Sequence, residues 1–170
     1  MPDGNLLVIS NNFPNQDDTY VGNIFVKEQV RHLSPFFKNI LVISPVALGV
    51  ERLRGTHHSD YEFGNVKVLF PRYLNLPICY THGRSIWRYL ESKAVLSTIN
   101  KEEFHFDLIH AHFTWPSGAV AVELKHHYCK PVVITEHTSQ TFNWAIEKKD
   151  KNSILAWKGA DRIIRVRKRD

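Results

Sequence analysis

Residues 107–140, DLIHAHFTWPSGAVAVELKHHYCKPVVITEHTSQ, decide the fold. The stretch opens with a short apolar run around Leu108 and Ile109 that ends His-Ala-His. Trp115-Pro116-Ser117-Gly118 interrupts it, and helical spacing follows through Val120, Val122 and Leu124 to Tyr128. Lys130-Pro131 breaks the helix, and residues 132–135 form a second apolar run ending in Glu136-His137-Thr138-Ser139. Two continuous apolar strands joined by a helix of about three turns describe a βαβ unit of a parallel sheet. Ligands of such sheets collect at the carboxyl ends of the strands. His110, His112 and Glu136-His137-Thr138 all fall there.

Working outward, residues 6–10 read as a first strand, turned by Asn11-Asn12-Phe13-Pro14, with a helix over 24–33 after Val21-Gly22-Asn23. Gly22 and Asn23 open that helix, where unpaired backbone N–H groups and the helix dipole favour an anion such as a phosphate. A plain turn explains Gly22 equally well. Residues 39–44 form a second strand, 45–63 an irregular excursion carrying Arg52, Arg54, His57 and His58, and 66–70 a third strand. Residues 74–82 are loop-like, and 83–100 fit a helix. Trp87, Arg88 and Tyr89 would suit either a lipid-facing rim or core packing. Residues 141–159 read as one helix and 161–166 as a last strand. This alternation predicts an α/β fold, a Rossmann-like, doubly wound, mostly parallel sheet flanked by helices.

The 170 residues suit one domain, burying roughly 70% of the surface of the unfolded chain. The net charge of +5 suggests nucleic acid until it is located. Residues 145–170 hold nine Lys or Arg against four acids, so residues 1–144 are neutral. The excess is a tail property and not a nucleic-acid face. No apolar run approaches the roughly 20 residues of a membrane span. Cys79 and Cys129 are far apart and in no metal-like spacing, which points to free thiols in a reducing compartment. A cytoplasmic protein is expected, with peripheral contact at the inner face of the membrane as an added option.

Among the candidate site residues, His110 and His112 share one strand face, a spacing able to hold a metal. No carboxylate or cysteine sits at ligand spacing, and barrels built on His-x-His need roughly 250 residues. The preferred reading packs His110 in the core and lets His112 line the pocket. His137 ends a buried strand, so its neutral imidazole can hydrogen-bond an incoming hydroxyl or take its proton. Its alternative is to cap the next helix.

Three blocks carry a family resemblance. The first is Phe13-Pro14, then Gly22 and Phe25-Val26-Lys27-Glu28-Gln29-Val30 with Leu33. The second is Phe106-Asp107-Leu108-Ile109-His110-Ala111-His112 with Pro116-Ser117-Gly118. The third is Pro131-Val132-Val133-Ile134-Thr135-Glu136-His137-Thr138, followed by Gly159-Ala160-Asp161-Arg162-Ile163-Ile164. In this order and spacing they resemble the amino-terminal domain of a group-1 (family 4) glycosyltransferase of the GT-B fold. The resemblance implies a retaining sugar transfer from a nucleotide-sugar to a glycan or lipid-linked acceptor, without a metal cofactor. It implies that Gly22 and Asn23 face the donor phosphates at a cleft between domains. It makes His137 catalytic and places Asn12, Phe13, His112 and Thr138 on the acceptor side.

Two departures matter. The family's second Rossmann-like domain, which holds most of the donor, has no counterpart in residues 1–170, and Arg167 stands where a serine is usual. The chain therefore reads as an acceptor-side domain that is inactive alone. Two rival classes remain: a stand-alone nucleotide- or anion-binding Rossmann module, and a metal-dependent hydrolase using His110 and His112.

Overall fold

The structure is a computed structural model, and it describes residues 3–18, 22–48, 57–75, 79 and 83–166. Arg52, Arg54, Arg167 and most of the 74–82 loop lie outside the described residues.

A seven-stranded sheet forms the centre. In chain order its strands are β1 (Asn5–Ile9), β2 (Asn39–Ile43), β4 (Tyr61–Phe63), β5 (Val66–Leu69), β7 (Leu108–His112), β8 (Val132–Glu136) and β9 (Arg162–Arg165). Two short strands, β3 (Val46–Ala47) and β6 (Arg72–Tyr73), pair separately. The spatial order is β4-β5-β2-β1-β7-β8-β9, parallel throughout except for the antiparallel β4–β5 edge. The helices are α1 (Ile24–Leu33), α2 (Arg84–Lys101), α3 (Ala119–Tyr128), α4 (Ser139–Glu147) and α5 (Lys151–Gly159).

Alternation along the central strands splits the core between the two faces. Leu7, Ile9, Leu41, Ile43 and Ile109 pack with Val95 and Ile99 of α2, Val120, Val122 and Leu124 of α3, and Ala156 of α5. Leu6, Val8, Ile40 and Val42 pack with Val26 and Val30 of α1 and with Phe13. Each such buried side chain contributes about 1.5–3 kcal/mol. Because both faces are covered, the central strands are apolar runs without polar alternation.

The doubly wound, mostly parallel sheet is as expected, but two local readings need correction. The 45–63 excursion contains β3 and β4. β4 turns into β5 through Gly64, whose φ of 57° is open to glycine at little cost, and Tyr61 buries its ring while its hydroxyl donates to the Pro14 carbonyl. The expected helix over 141–159 is two helices. Lys149 takes a φ of 48°, and the Asp150 carboxylate accepts from Ser153 N at 2.8 Å to start α5 afresh. The helix α3 ends at Tyr128 as expected, closed by a left-handed Cys129 ahead of Lys130-Pro131.

Candidate active site

β1 passes through α1 to β2 on one side of the sheet, whereas β7 passes through α3 to β8 on the other. The neighbouring strands β1 and β7 thus form the point where the connections diverge, the place at which sheets of this kind open a ligand crevice beyond the carboxyl ends of the strands. Three segments frame it: residues 10–18 with 22–23 after β1, 113–118 after β7 and 137–138 after β8.

The first loop is fixed by backbone and side-chain hydrogen bonds. Asn12 adopts a φ of 59°, and its carbonyl accepts from Asn23 N at 3.0 Å, closing the loop just before α1. Asn23 is the N-cap of α1, yet no side chain caps the helix. Its Nδ2 instead donates to the Asn11 carbonyl at 2.8 Å. Gly22 and Asn23 therefore stand together at a helix start that faces the crevice. Behind them Lys27, almost wholly buried, donates to the Asn15 carbonyl at 2.9 Å and pairs with Asp18 at 2.5 Å, pinning the loop to α1.

On the first turn of α1, Phe25 is 44% exposed and its ring lies 4.6 Å from that of His137. Phe113, after β7, meets His137 at 5.0 Å and Phe25 at 6.2 Å. The half-buried His137 is thus held between two phenylalanines. Behind it His112 Nδ1 lies 3.0 Å from His137 Nε2, with the rings stacked at 16°. The His110 ring follows at 4.4 Å, and its Nε2 meets Thr135 Oγ1 at 2.8 Å. Burial pushes His112 down to about 2, with smaller contributions from His110 and His137. Burial likewise holds His110 at about 4 and lowers His137, against a weak opposing pull from Glu136. The triad is neutral at physiological pH.

The sequence-predicted residues divide accordingly. Gly22, Asn23, Asn12 and His137 gather at the crevice. Phe13 is fully buried beneath it, its N–H donating to Ser44 Oγ at 3.2 Å. His112 has no solvent exposure and reaches the crevice only through His137. His110 is packed in the core, as expected. Thr138 is the N-cap of α4 and donates through N–H and Oγ to Glu136 Oε1 at 3.0 and 3.2 Å. Glu136 also accepts from Thr114 N at 2.9 Å, locking the β7 and β8 loops together.

Sequence reasoning missed a second network. Asn11 Oδ1 accepts from Ser117 Oγ at 2.7 Å, joining the β1 and β7 loops. Glu91 of α2, fully buried, accepts from Tyr73 Oη and Trp87 Nε1, both at 2.8 Å. Burial raises its carboxyl to about 7, and hydrogen bonds from Tyr73, Trp87 and Asn11 pull it back only in part. A glutamate at an apparently solvent-facing helix position gave no sequence signal for this. Trp87 also meets Trp115 edge to face at 5.4 Å, so it packs inward.

Among the described residues, no group of three or more His, Cys, Asp or Glu side chains is arranged to hold a metal ion. Nor is any described helix long and apolar enough to cross a membrane.

Residues 49–168 match the family described as Glycosyltransferase Family 4. A Bacillus subtilis (strain 168) protein, assigned to teichuronic acid biosynthesis as the glycosyltransferase TuaC, is 30% identical over 128 residues. That match takes in 68% of this chain but 32% of the relative, so the chain spans about a third of that protein's length. Among solved structures, Arabidopsis thaliana UGT89C1 complexed with UDP superposes with a TM-score of 0.61 at 11% identity, over 96% of this chain and 45% of that one. A UDP-N-acetylglucosamine 2-epimerase of Listeria monocytogenes gives 0.54 at 11%, over 96% and 39%. These two likenesses concern the fold alone.

Proposed function

Since the chain belongs to Glycosyltransferase Family 4, we propose that it is the acceptor-side domain of a retaining enzyme moving a sugar from a nucleotide-sugar to a glycan or lipid-linked acceptor. The observation that carries this reading is the meeting of His137, Phe25 and the uncapped start of α1 at the sheet's divergence point. Each group has work to do there. The start of α1, which no side chain caps and which Gly22 leaves open to close approach, favours a donor phosphate. Phe25 offers an exposed apolar face to a sugar ring. His137, neutral and partly accessible, can hydrogen-bond the acceptor hydroxyl and steady it as the new bond forms. Asn12 holds the loop that presents these groups.

Most of the donor is held by a second domain in this reading, and catalysis depends on both reactants being fixed across the cleft. A domain that holds one reactant cannot supply that positioning, so the chain alone should not transfer sugar. No metal enters the scheme, because backbone N–H groups and the second domain's side chains take the phosphate charge.

A thermal-shift screen of UDP- and GDP-sugars tests the division of labour, since a bound ligand raises the melting temperature by mass action. The expected result is a rise for a protein joining this domain to a donor-binding domain and none for residues 1–170. A strong response from residues 1–170 alone would favour the stand-alone nucleotide-binding module instead.

A further inference from the structure

We propose that His112 is a positioning residue that fixes the tautomer of His137, accepting its Nε2–H so that His137 turns a bare Nδ1 toward the crevice. This rests on the transfer reading above for its purpose, but not for its geometry.

The two facing nitrogens are 3.0 Å apart, a hydrogen-bonding distance. Both rings are neutral at physiological pH, for burial disfavours the charged form of each. A neutral imidazole has one N–H and one lone pair, so a single proton lies between the rings. If His112 donates, each ring carries its hydrogen on Nδ1. If His137 donates, each carries it on Nε2, the form that an isolated histidine side chain prefers. The second arrangement puts both rings in that form, and it leaves the Nε2–H of His112 buried without a partner among the described residues. It leaves Nδ1 as the ring nitrogen of His137 with a lone pair to offer, which is what an acceptor hydroxyl needs in order to donate a hydrogen bond or pass on its proton.

The other nitrogen of His112 argues against a role in stability alone. Nε2 is buried and has no hydrogen-bond partner among the described residues. A buried polar atom left unpaired costs free energy, and a leucine of similar volume would remove that cost. A purely structural role would be better served without the imidazole. His110 differs, because its Nε2 is satisfied by Thr135.

The test is long-range 1H–15N NMR of the histidine rings in residues 1–170, with His112→Leu and His112→Asn beside the parent. The parent should show His137 as a single Nε2–H tautomer. His112→Leu should average His137 between tautomers while melting no lower than the parent. His112→Asn, whose amide oxygen sits near the place of Nδ1, should restore the single form. In the two-domain enzyme, kcat should fall about tenfold or more in His112→Leu with KM little changed, and recover in His112→Asn. A His137 found as Nδ1–H in the parent, or a tautomer indifferent to His112→Leu, would overturn the proposal. The NMR needs neither donor nor acceptor, so a locked tautomer beside absent transfer would instead count against the proposed function.

Discussion

Glu91 shows how far a single side chain can be pushed by its surroundings. With no solvent exposure it keeps its proton to about pH 7 in the folded chain, against an ordinary value of 4.5. The folded state therefore holds a proton that the unfolded state has already lost. Stability from this group is complete below about pH 4.5 and drains away as pH rises through 7. Its span is roughly 3 kcal/mol. Glu91→Gln keeps the acceptor for Tyr73 and Trp87 but cannot ionise. Urea unfolding of the two proteins should give similar stabilities at pH 5, with the variant ahead on the order of 2 kcal/mol at pH 8. A gap that did not change with pH would mean that the carboxyl is not confined as described. The histidines act in the opposite direction. With folded values below 6.5, His110, His112 and His137 contribute stability that is present above 6.5 and lost on acidification.

At the level of elements, packing between α3 and α5 leaves no room for change. A Cβ placed on Gly159 would lie 2.3 Å from Val122 Cγ1, and a β-branched valine cannot turn aside cheaply. Gly159→Ala should cost about 1–3 kcal/mol, seen as a lower urea midpoint with unchanged slope, and Val122→Ala in the same chain should recover part of it. If Gly159→Ala unfolded like the parent, the α3–α5 contact would be looser than described. The elements also show what the sequence could tell. The strands β1, β2, β7 and β8 were legible because burial on both faces gives each a continuous apolar stretch, which in β7 and β8 ends in the polar residues of the sheet edge. Two acids of the family blocks have local causes: Asp107 accepts from Asn5 N at 2.9 Å, and Asp161 accepts from Val132 N at 2.8 Å. The α4–α5 break was not legible, because Lys148 and Lys149 carry no breaker signal and the Asp150 cap sits inside a polar run. β4 was hidden by having only three residues. Of the site, His137 and the Gly22–Asn23 turn could be read as strand-end and helix-start signals. The Glu91 and Glu136 networks could not, because they join residues far apart in sequence.

At the scale of the whole molecule, the candidate site residues gather at one edge of the sheet. At the carboxyl ends of β1, β7 and β8 lie the α1 start, the two phenylalanines and the histidine triad, whereas Asp107 and Asp161 tie the opposite edge together. The chain aligns over 96% of its length with 45% of the UDP-complexed Arabidopsis thaliana structure. Under the proposed function this edge would form one wall of a cleft, with His137 the side chain that meets the acceptor. The decisive measurement is sugar transfer by the two-domain enzyme carrying His137→Ala, using the donor found by thermal shift, with the melting temperature as a check on folding. Transfer reduced about a hundredfold or more in a folded variant is the predicted result. Transfer at the parent's rate would contradict the placing of the reaction at this edge.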